Sequence, residues 1–185
     1  YYNNEGYLFP DTYRLKNYEL RITNYENFIQ ELREKMGLNF NNKTDELFKN
    51  LNNDQKLRLI IIASILEKEA KSEEDMKLVA GIIEKRLKMD IPLQLDATVV
   101  YGACRRIAMA SGFTKNCEVT FQGPAIEIKI DGPFNTYTRK GLPIAPISNP
   151  GLRAINAALN PQSSDYLYYL STRDGSQMIY SKTAG

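Results

Sequence analysis

Two carboxylates, Glu67 and Glu69, close the run Ala63-Ser64-Ile65-Leu66-Glu67-Lys68-Glu69-Ala70. On a helix, residues at i and i+2 point about 200° apart, so this pair cannot share one site as a close acid and nucleophile. At most one of them faces a cleft. The other is then a surface charge, with Lys68, Lys71 and Arg58 at hand to pair it. A Glu at the end of an apolar helix is poorly solvated, which raises its pKa from about 4.3 towards what a general acid needs near neutral pH. The same run also fits the solvated exit of a buried helix, and spacing alone does not choose. A second polar group is Gln94-Leu95-Asp96-Ala97-Thr98, where Asp96 also suits a plain helix N-cap. A third is Gly132-Pro133-Phe134-Asn135-Thr136-Tyr137. Amides, hydroxyls and a Tyr ring on a loop build sugar grooves, and they also build ordinary loops. The 12 tyrosines, with no tryptophan, suit sugar stacking or packing on alternating strands.

What is missing narrows the chemistry. The chain has no histidine, which removes Ser-His-Asp and Cys-His triads and the HExxH zinc site. Its two cysteines are too few for a Cys-rich zinc site; Cys104 and Cys117 either pair or stay free thiols. Neither GxGxxG nor GxxxxGK[ST] occurs, so nucleotide chemistry has no support. A net charge of +2 with no basic stripe argues against nucleic acid. The longest apolar run, Leu59 to Leu66, is too short to span a bilayer, and no signal peptide is present. The chain opens at Tyr1-Tyr2-Asn3-Asn4 without an initiator Met, as an excised fragment would, which leaves room for an anchor upstream. Carboxylates, hydroxyls and amides must carry any catalysis, with no metal or organic cofactor.

The elements that hold these residues follow from pattern and punctuation. Gly6 and Pro10-Asp11 mark turns, and Thr12 to Leu15 alternates as a strand. Asn24 is placed to cap a helix carrying Phe28, Ile29, Leu32 and Met36, with Gly37 as its stop. The polar stretch Asn39 to Thr44 reads as a loop, and Thr44 as the cap of a short helix through Leu51. Asn53 or Asp54 caps a helix running to about Ala70, whose middle, Leu59 to Leu66, is apolar nearly all round and therefore buried. Ser72-Glu73-Glu74-Asp75 opens a second helix with Leu78, Val79, Ile82, Ile83 and Leu87 on one face. A short helix, Ala97 to Tyr101, comes next, and then Glu118 to Phe121 and Ile126 to Ile130 alternate as a hairpin. A Pro- and Gly-rich loop, 141–148, leads to a helix from Asn149-Pro150 that ends before Pro161. Strands Tyr166 to Ser171 and Gln177 to Tyr180, joined around Asp174-Gly175, close the chain. The expected class is α+β, with a central buried helical pair, flanking antiparallel strands and a small hairpin subdomain.

Several blocks, in this order, carry a family resemblance. They include Glu5-Gly6-Tyr7-Leu8-Phe9-Pro10-Asp11-Thr12-Tyr13, Ile65-Leu66-Glu67-Lys68-Glu69, Val79-Ala80-Gly81-Ile82-Ile83 and Pro92-Leu93-Gln94-Leu95-Asp96-Ala97-Thr98. Phe134-Asn135-Thr136-Tyr137, Pro146-Ile147-Ser148-Asn149-Pro150-Gly151, Ala157-Ala158-Leu159-Asn160-Pro161 and Asp165-Tyr166-Leu167-Tyr168-Tyr169 continue them. Any one block is weak, but the ordered set over nearly the whole chain is specific. The sequence resembles the YceG-like family of endolytic murein transglycosylases. The resemblance implies that residues 1–185 form the catalytic domain, lacking an N-terminal membrane helix and a LysM-like domain. It implies peptidoglycan glycan strands as substrate, cut between N-acetylmuramic acid and N-acetylglucosamine to leave 1,6-anhydromuramyl ends. It places the activity on the outer face of the cytoplasmic membrane, beside cell-wall synthases. Its catalytic Glu corresponds to Glu69, which demotes Glu67. Two departures stand out: Ala97 occupies a position where the family usually has Pro, and residues 103–131, which carry both cysteines, leave the pattern and suggest a small insertion subdomain.

On this basis Glu69 acts alone as acid and then base, with Ser64, Gln94, Asn135, Thr136 and Tyr137 as candidates to orient the sugar. Two rivals remain. One is a hydrolytic glycosidase with Asp96 or Glu5 as second carboxylate. The other is a catalytically silent glycan-binding scaffold.

Overall fold

The computed structural model describes residues 4–14, 25–112, 117, 126–172 and 177–184. Among them the elements run α1 (Tyr25–Phe48), α2 (Asn53–Glu69), α3 (Glu73–Lys88), α4 (Asp96–Ala110), α5 (Leu152–Leu159), β1 (Tyr168–Ser171) and β2 (Met178–Ser181). This is an α+β fold built on packed helices. The centre is α2, buried without a break from Leu59 to Leu66, as its all-round apolar sequence requires. It packs against α3, α4 and α5, and α3 packs in turn on α5. A capping box starts α2. The Asn52 side chain accepts from Gln55 N at 2.9 Å, and Gln55 Oε1 accepts from Asn52 N at 2.9 Å. The cap is thus Asn52, one residue before the expected Asn53, because only that position has Gln three residues on to close the box. Ser72 caps α3 by accepting from Asp75 N.

Several expected boundaries give way to packing. The loop expected over Asn39 to Thr44 is helical, and Gly37 does not stop α1. Phe40, Thr44 and Phe48, spaced by four, form one buried face, and the Thr44 hydroxyl donates to Phe40 O at 2.8 Å instead of capping. Burial of two Phe rings outweighs the weak helix propensity of the asparagines. Thr12 to Arg14 form no strand. The preceding residues are held by Asn149 instead, whose Oδ1 accepts from Gly6 N and Leu8 N. Gly6 has φ +87°, and a Cβ there would strike Ile60 and Pro146. Helix α4 continues to Ala110, well past Tyr101, so residues 103–110 belong to it. Ile126 and Glu127 are helical and residues 128–130 curl into a turn and bend, with Lys129 N donating to Ile126 O, where a strand was expected. Glu118 to Phe121 lie outside the described residues, as do Asn24, Leu15 and Asp174-Gly175. The last helix begins at Leu152 with Gly151 as its cap, because Asn149 is engaged elsewhere. Cys104 and Cys117 form a disulfide, with Cα atoms 5.1 Å apart.

Two features bring the site together. The Pro-rich loop is pinned to α2 through Ser64, whose Oγ accepts from Ile147 N, while Ser148 Oγ donates to Ser64 O. The β1–β2 hairpin pairs antiparallel, with Tyr169 opposite Tyr180, and lies over the turn between α2 and α3. There Tyr180 OH donates to Asp75 Oδ1 at 2.5 Å.

Candidate active site

Glu69 is the last residue of α2, where Ala70 turns the chain to an extended conformation. Its carboxylate meets three elements at once. Tyr169 OH, from β1, donates to Oε2 at 2.9 Å. The Ala97 amide in the first turn of α4 donates as well, and the Asp96 carboxylate lies close enough to act on it. Burial pushes the Glu69 pKa up from the ordinary carboxylate value, and the negative charge of Asp96 pushes the same way; the Tyr169 and Ala97 hydrogen bonds oppose them without prevailing. Glu67 also borders a hollow, beside Lys71 and Ser72, but has a different partner. Its Oε2 accepts from Gly151 N at 3.0 Å, which fixes it at the N-terminus of α5.

Glu69 stands between two hollows. One, of about 330 Å³, is walled by Gln94, Asp96, Tyr137, Tyr168 and Ser171. The other, of about 350 Å³, is walled by Lys71, Ser72, Asp75, Ser171 and Gln177. Glu69 and Ser171 border both, so the two hollows adjoin at Glu69. A larger hollow of about 480 Å³ between α4 and residues 126–135 is mainly apolar and does not include Glu69. Its carboxylates, Glu127 and Asp131, are held by Arg106 and Arg139. Size does not put the chemistry there.

Arg86 builds one wall of the groove. It is only 7% exposed and bonds Pro92 O, Leu167 O and the Gln94 side-chain oxygen, with its guanidinium over the Tyr168 ring. It thereby links α3, the 92–94 turn and the start of β1. Gln94 sits at φ 55°, a conformation that costs about 1 kcal/mol or more for a residue with a Cβ. Its backbone is held there by the bond from Gln94 N to Thr136 O. On the far side Tyr137 OH donates to Asp96 Oδ1 at 2.5 Å. Burial and the neighbouring carboxylates of Asp96 and Glu69 raise the Tyr137 phenol well above its usual value, so it stays a donor.

The expected sugar-orienting residues divide into two groups. Gln94 and Tyr137 line the groove beside Glu69. Ser64, Asn135 and Thr136 are buried behind it. The Asn135 amide donates to the carbonyls of Glu127, Ile128 and Ile130, and its oxygen accepts from Tyr137 N and Thr138 N. Thr136 Oγ1 accepts from Leu95 N and pairs with Thr98. Asn135 and Thr136 shape the segments that present Gln94 and Tyr137, whereas Ser64 holds the Pro-rich loop at Ile147 and Ser148. Glu5, a candidate second carboxylate, interacts with Tyr101 and Lys68 and borders neither hollow. Asp96 borders the groove. Sequence reasoning missed Tyr169 and Arg86. Arg86 carried a signal, since it falls seven residues after Val79 and four after Ile82, on the apolar face of α3.

The sequence matches the YceG-like family over residues 1–185. The chain belongs to that family. Among its YceG-like relatives is a protein of Bacillus subtilis named endolytic murein transglycosylase, 34% identical over 179 residues. That alignment takes in 97% of this chain and 44% of the relative. A protein of the same name from Streptococcus pneumoniae D39 is 34% identical over 180 residues, 97% of this chain and 30% of the relative. The chain thus spans less than half the length of either. The crystal structure of a yceG-like protein from Listeria monocytogenes superposes with a TM-score of 0.70 at 36% identity, covering 97% of this chain and 53% of that one.

Proposed function

We propose that this YceG-like chain is the catalytic domain of an endolytic lytic transglycosylase acting on peptidoglycan. One observation carries the proposal: a carboxyl group, Glu69, desolvated at the end of α2 and bonded to Tyr169, at the point where two hollows of mixed polar and apolar lining adjoin. The names of the relatives support the reading. Glu69 enters protonated and gives its proton to the glycosidic oxygen between N-acetylmuramic acid and N-acetylglucosamine as the C1–O bond breaks. The muramyl C6 hydroxyl then closes on C1 and returns its proton to Glu69, which leaves a 1,6-anhydromuramyl end. No water is consumed. Gln94 and Tyr137 are the candidates to orient the sugar, with Asn135 and Thr136 positioning them and Ser64 anchoring the Pro-rich loop. The longer protein would act on nascent strands outside the cytoplasmic membrane, beside cell-wall synthases and tethered by an N-terminal helix, with a LysM-like domain between. Among the described residues no helix is long and apolar enough to cross a membrane.

The proximity of Asp96 to Glu69 favours a second reading, a hydrolase in which Asp96 directs a water. Mass spectrometry of digested murein separates the two. Anhydro ends from the parent and none from Glu69→Gln support the transglycosylase. Reducing ends would make it a hydrolase, and binding without cutting by the parent would make it a silent module.

A further inference from the structure

Four groups face the Glu69 carboxyl. Tyr169 OH reaches it from β1, Asp96 and the Ala97 amide stand on α4, and Tyr137 lies across the groove on its loop. Arg86, on α3, acts on both tyrosines. Of these, Tyr169 makes the side-chain hydrogen bond, at 2.9 Å to Oε2. The donor is well fixed. Tyr169 sits in β1 opposite Tyr180, which is itself bonded to Asp75 at the start of α3. Two tyrosines on paired strands thus reach two carboxylates on consecutive helices.

We infer, on the reading of Glu69 as the acid, that Tyr169 is a positioning residue that occupies Oε2, keeps the transferable proton on Oε1 and sets the acid strength of Glu69. The step balances without Tyr169 losing anything. Oε1–H protonates the leaving oxygen as its bond to C1 breaks, and the sugar hydroxyl that attacks C1 returns a proton to Oε1. Tyr169 keeps its own proton throughout, since burial first and the Glu69 charge next hold its phenol far above the ordinary value. Its bond is strongest when Glu69 is ionised, so it favours that form and makes Glu69 a better acid than burial alone would.

The sign follows. Glu69 works protonated in the free enzyme, so kcat/KM falls as pH rises through its pKa. Removing the Tyr169 hydroxyl raises that pKa. In Tyr169→Phe the alkaline limb of kcat/KM therefore moves up by about one pH unit, the worth of one hydrogen bond to an ionised group. A 13C-carboxyl titration of Glu69, with its signal assigned by loss in Glu69→Gln, moves by the same amount without substrate. Tyr180→Phe loses the parallel bond to Asp75 and leaves both curves where they are. Should Tyr169→Phe fold poorly, 3-fluorotyrosine, a stronger donor of nearly the same shape, moves the limb down in the parent. An unmoved Tyr169→Phe titration with Glu69→Gln inactive overturns the role of Tyr169 and leaves Glu69 standing. Equal shifts in Tyr169→Phe and Tyr180→Phe overturn it too, since hairpin docking would then be the cause. An active Glu69→Gln overturns the acid itself.

Discussion

At the scale of single residues, Glu67 and Glu69 make opposite predictions from the same local sequence. Glu69 is desolvated and its pKa is raised, so the folded chain binds its proton more tightly than the unfolded chain does. Stability from this group is therefore complete below the unfolded pKa and is lost as pH rises through the folded one. Glu69→Gln removes the buried charge. It is expected to lower murein cleavage by a hundredfold or more, since acid–base catalysis contributes about 10²–10⁴. It should also raise the melting temperature at pH 7–8 by about 2–4 °C, the equivalent of about 1 kcal/mol in a chain of this size. The gain should vanish near pH 4, and melting curves at both pH values check it; a loss at pH 8 would contradict the desolvation account. Glu67→Gln keeps an oxygen for Gly151 N and should stay within a few-fold of the parent rate. The 200° between them gives the two carboxylates different hydrogen-bond partners, Gly151 for Glu67 and Tyr169 for Glu69, although both residues border the hollow of about 350 Å³. The sequence did not show why Ser64, Asn135 and Thr136 turn inward, since a polar residue on a loop serves the groove or the loop itself with the same donors and acceptors. Tyr169 lies 100 residues from Glu69 and could not be linked to it by spacing.

At the scale of elements, α2, α3 and the closing hairpin were legible because their periodicity and their burial agree. Helix α1 was not, because Gly37 and the run Asn39 to Thr44 look like punctuation until Phe40 and Phe48 are seen sharing one buried face. The continuation of α4 past Tyr101 was hidden by Gly102, which stands inside the helix where the Phe134 side chain comes close. Gly81 is a point where two elements meet. A Cβ there would lie 1.9 Å from Gln162 O, on the segment that leaves α5 and donates from Gln162 N to Lys77 O. Gly81→Ala should therefore cost about 1–3 kcal/mol or more by forcing α3 and that segment apart, despite the better helix propensity of Ala. Urea unfolding tests this, and a more stable Gly81→Ala would refute the contact. The Cys104–Cys117 bridge closes a 13-residue separation at the end of α4, so its reduction should lower stability by up to about 3 kcal/mol. Melting with and without a reductant measures it. Since neither cysteine borders the hollows beside Glu69, the murein cleavage rate well below the melting temperature should change little.

At the scale of the molecule, two hollows of about 330 Å³ and about 350 Å³ adjoin at Glu69. A blind pocket would admit only a strand end, whereas a through-going groove lets a strand lie across the acid with sugars on both sides. Limited digestion of long glycan strands should accordingly shorten the whole length distribution before small fragments accumulate. Chromatography of early time points decides this, and disaccharides as the first product would mean that one end of the groove is closed in solution. Binding energy from sugars far from the broken bond contributes to the transition state, so this chain alone should cut more slowly than a protein with further glycan contacts. Equal rates for this chain and for a relative of full length would place all productive contacts within the two hollows beside Glu69. The net charge is only +2, and hydroxyls, amides and tyrosines outnumber cations along the groove. Recognition of the glycan backbone should thus vary little with ionic strength, because hydrogen bonds and ring contacts are not screened as ion pairs are. The rate should stay within about twofold between 50 and 300 mM salt. A steep decline over that range would point instead to the acidic peptide stems as the chief handle, held by basic side chains outside the groove.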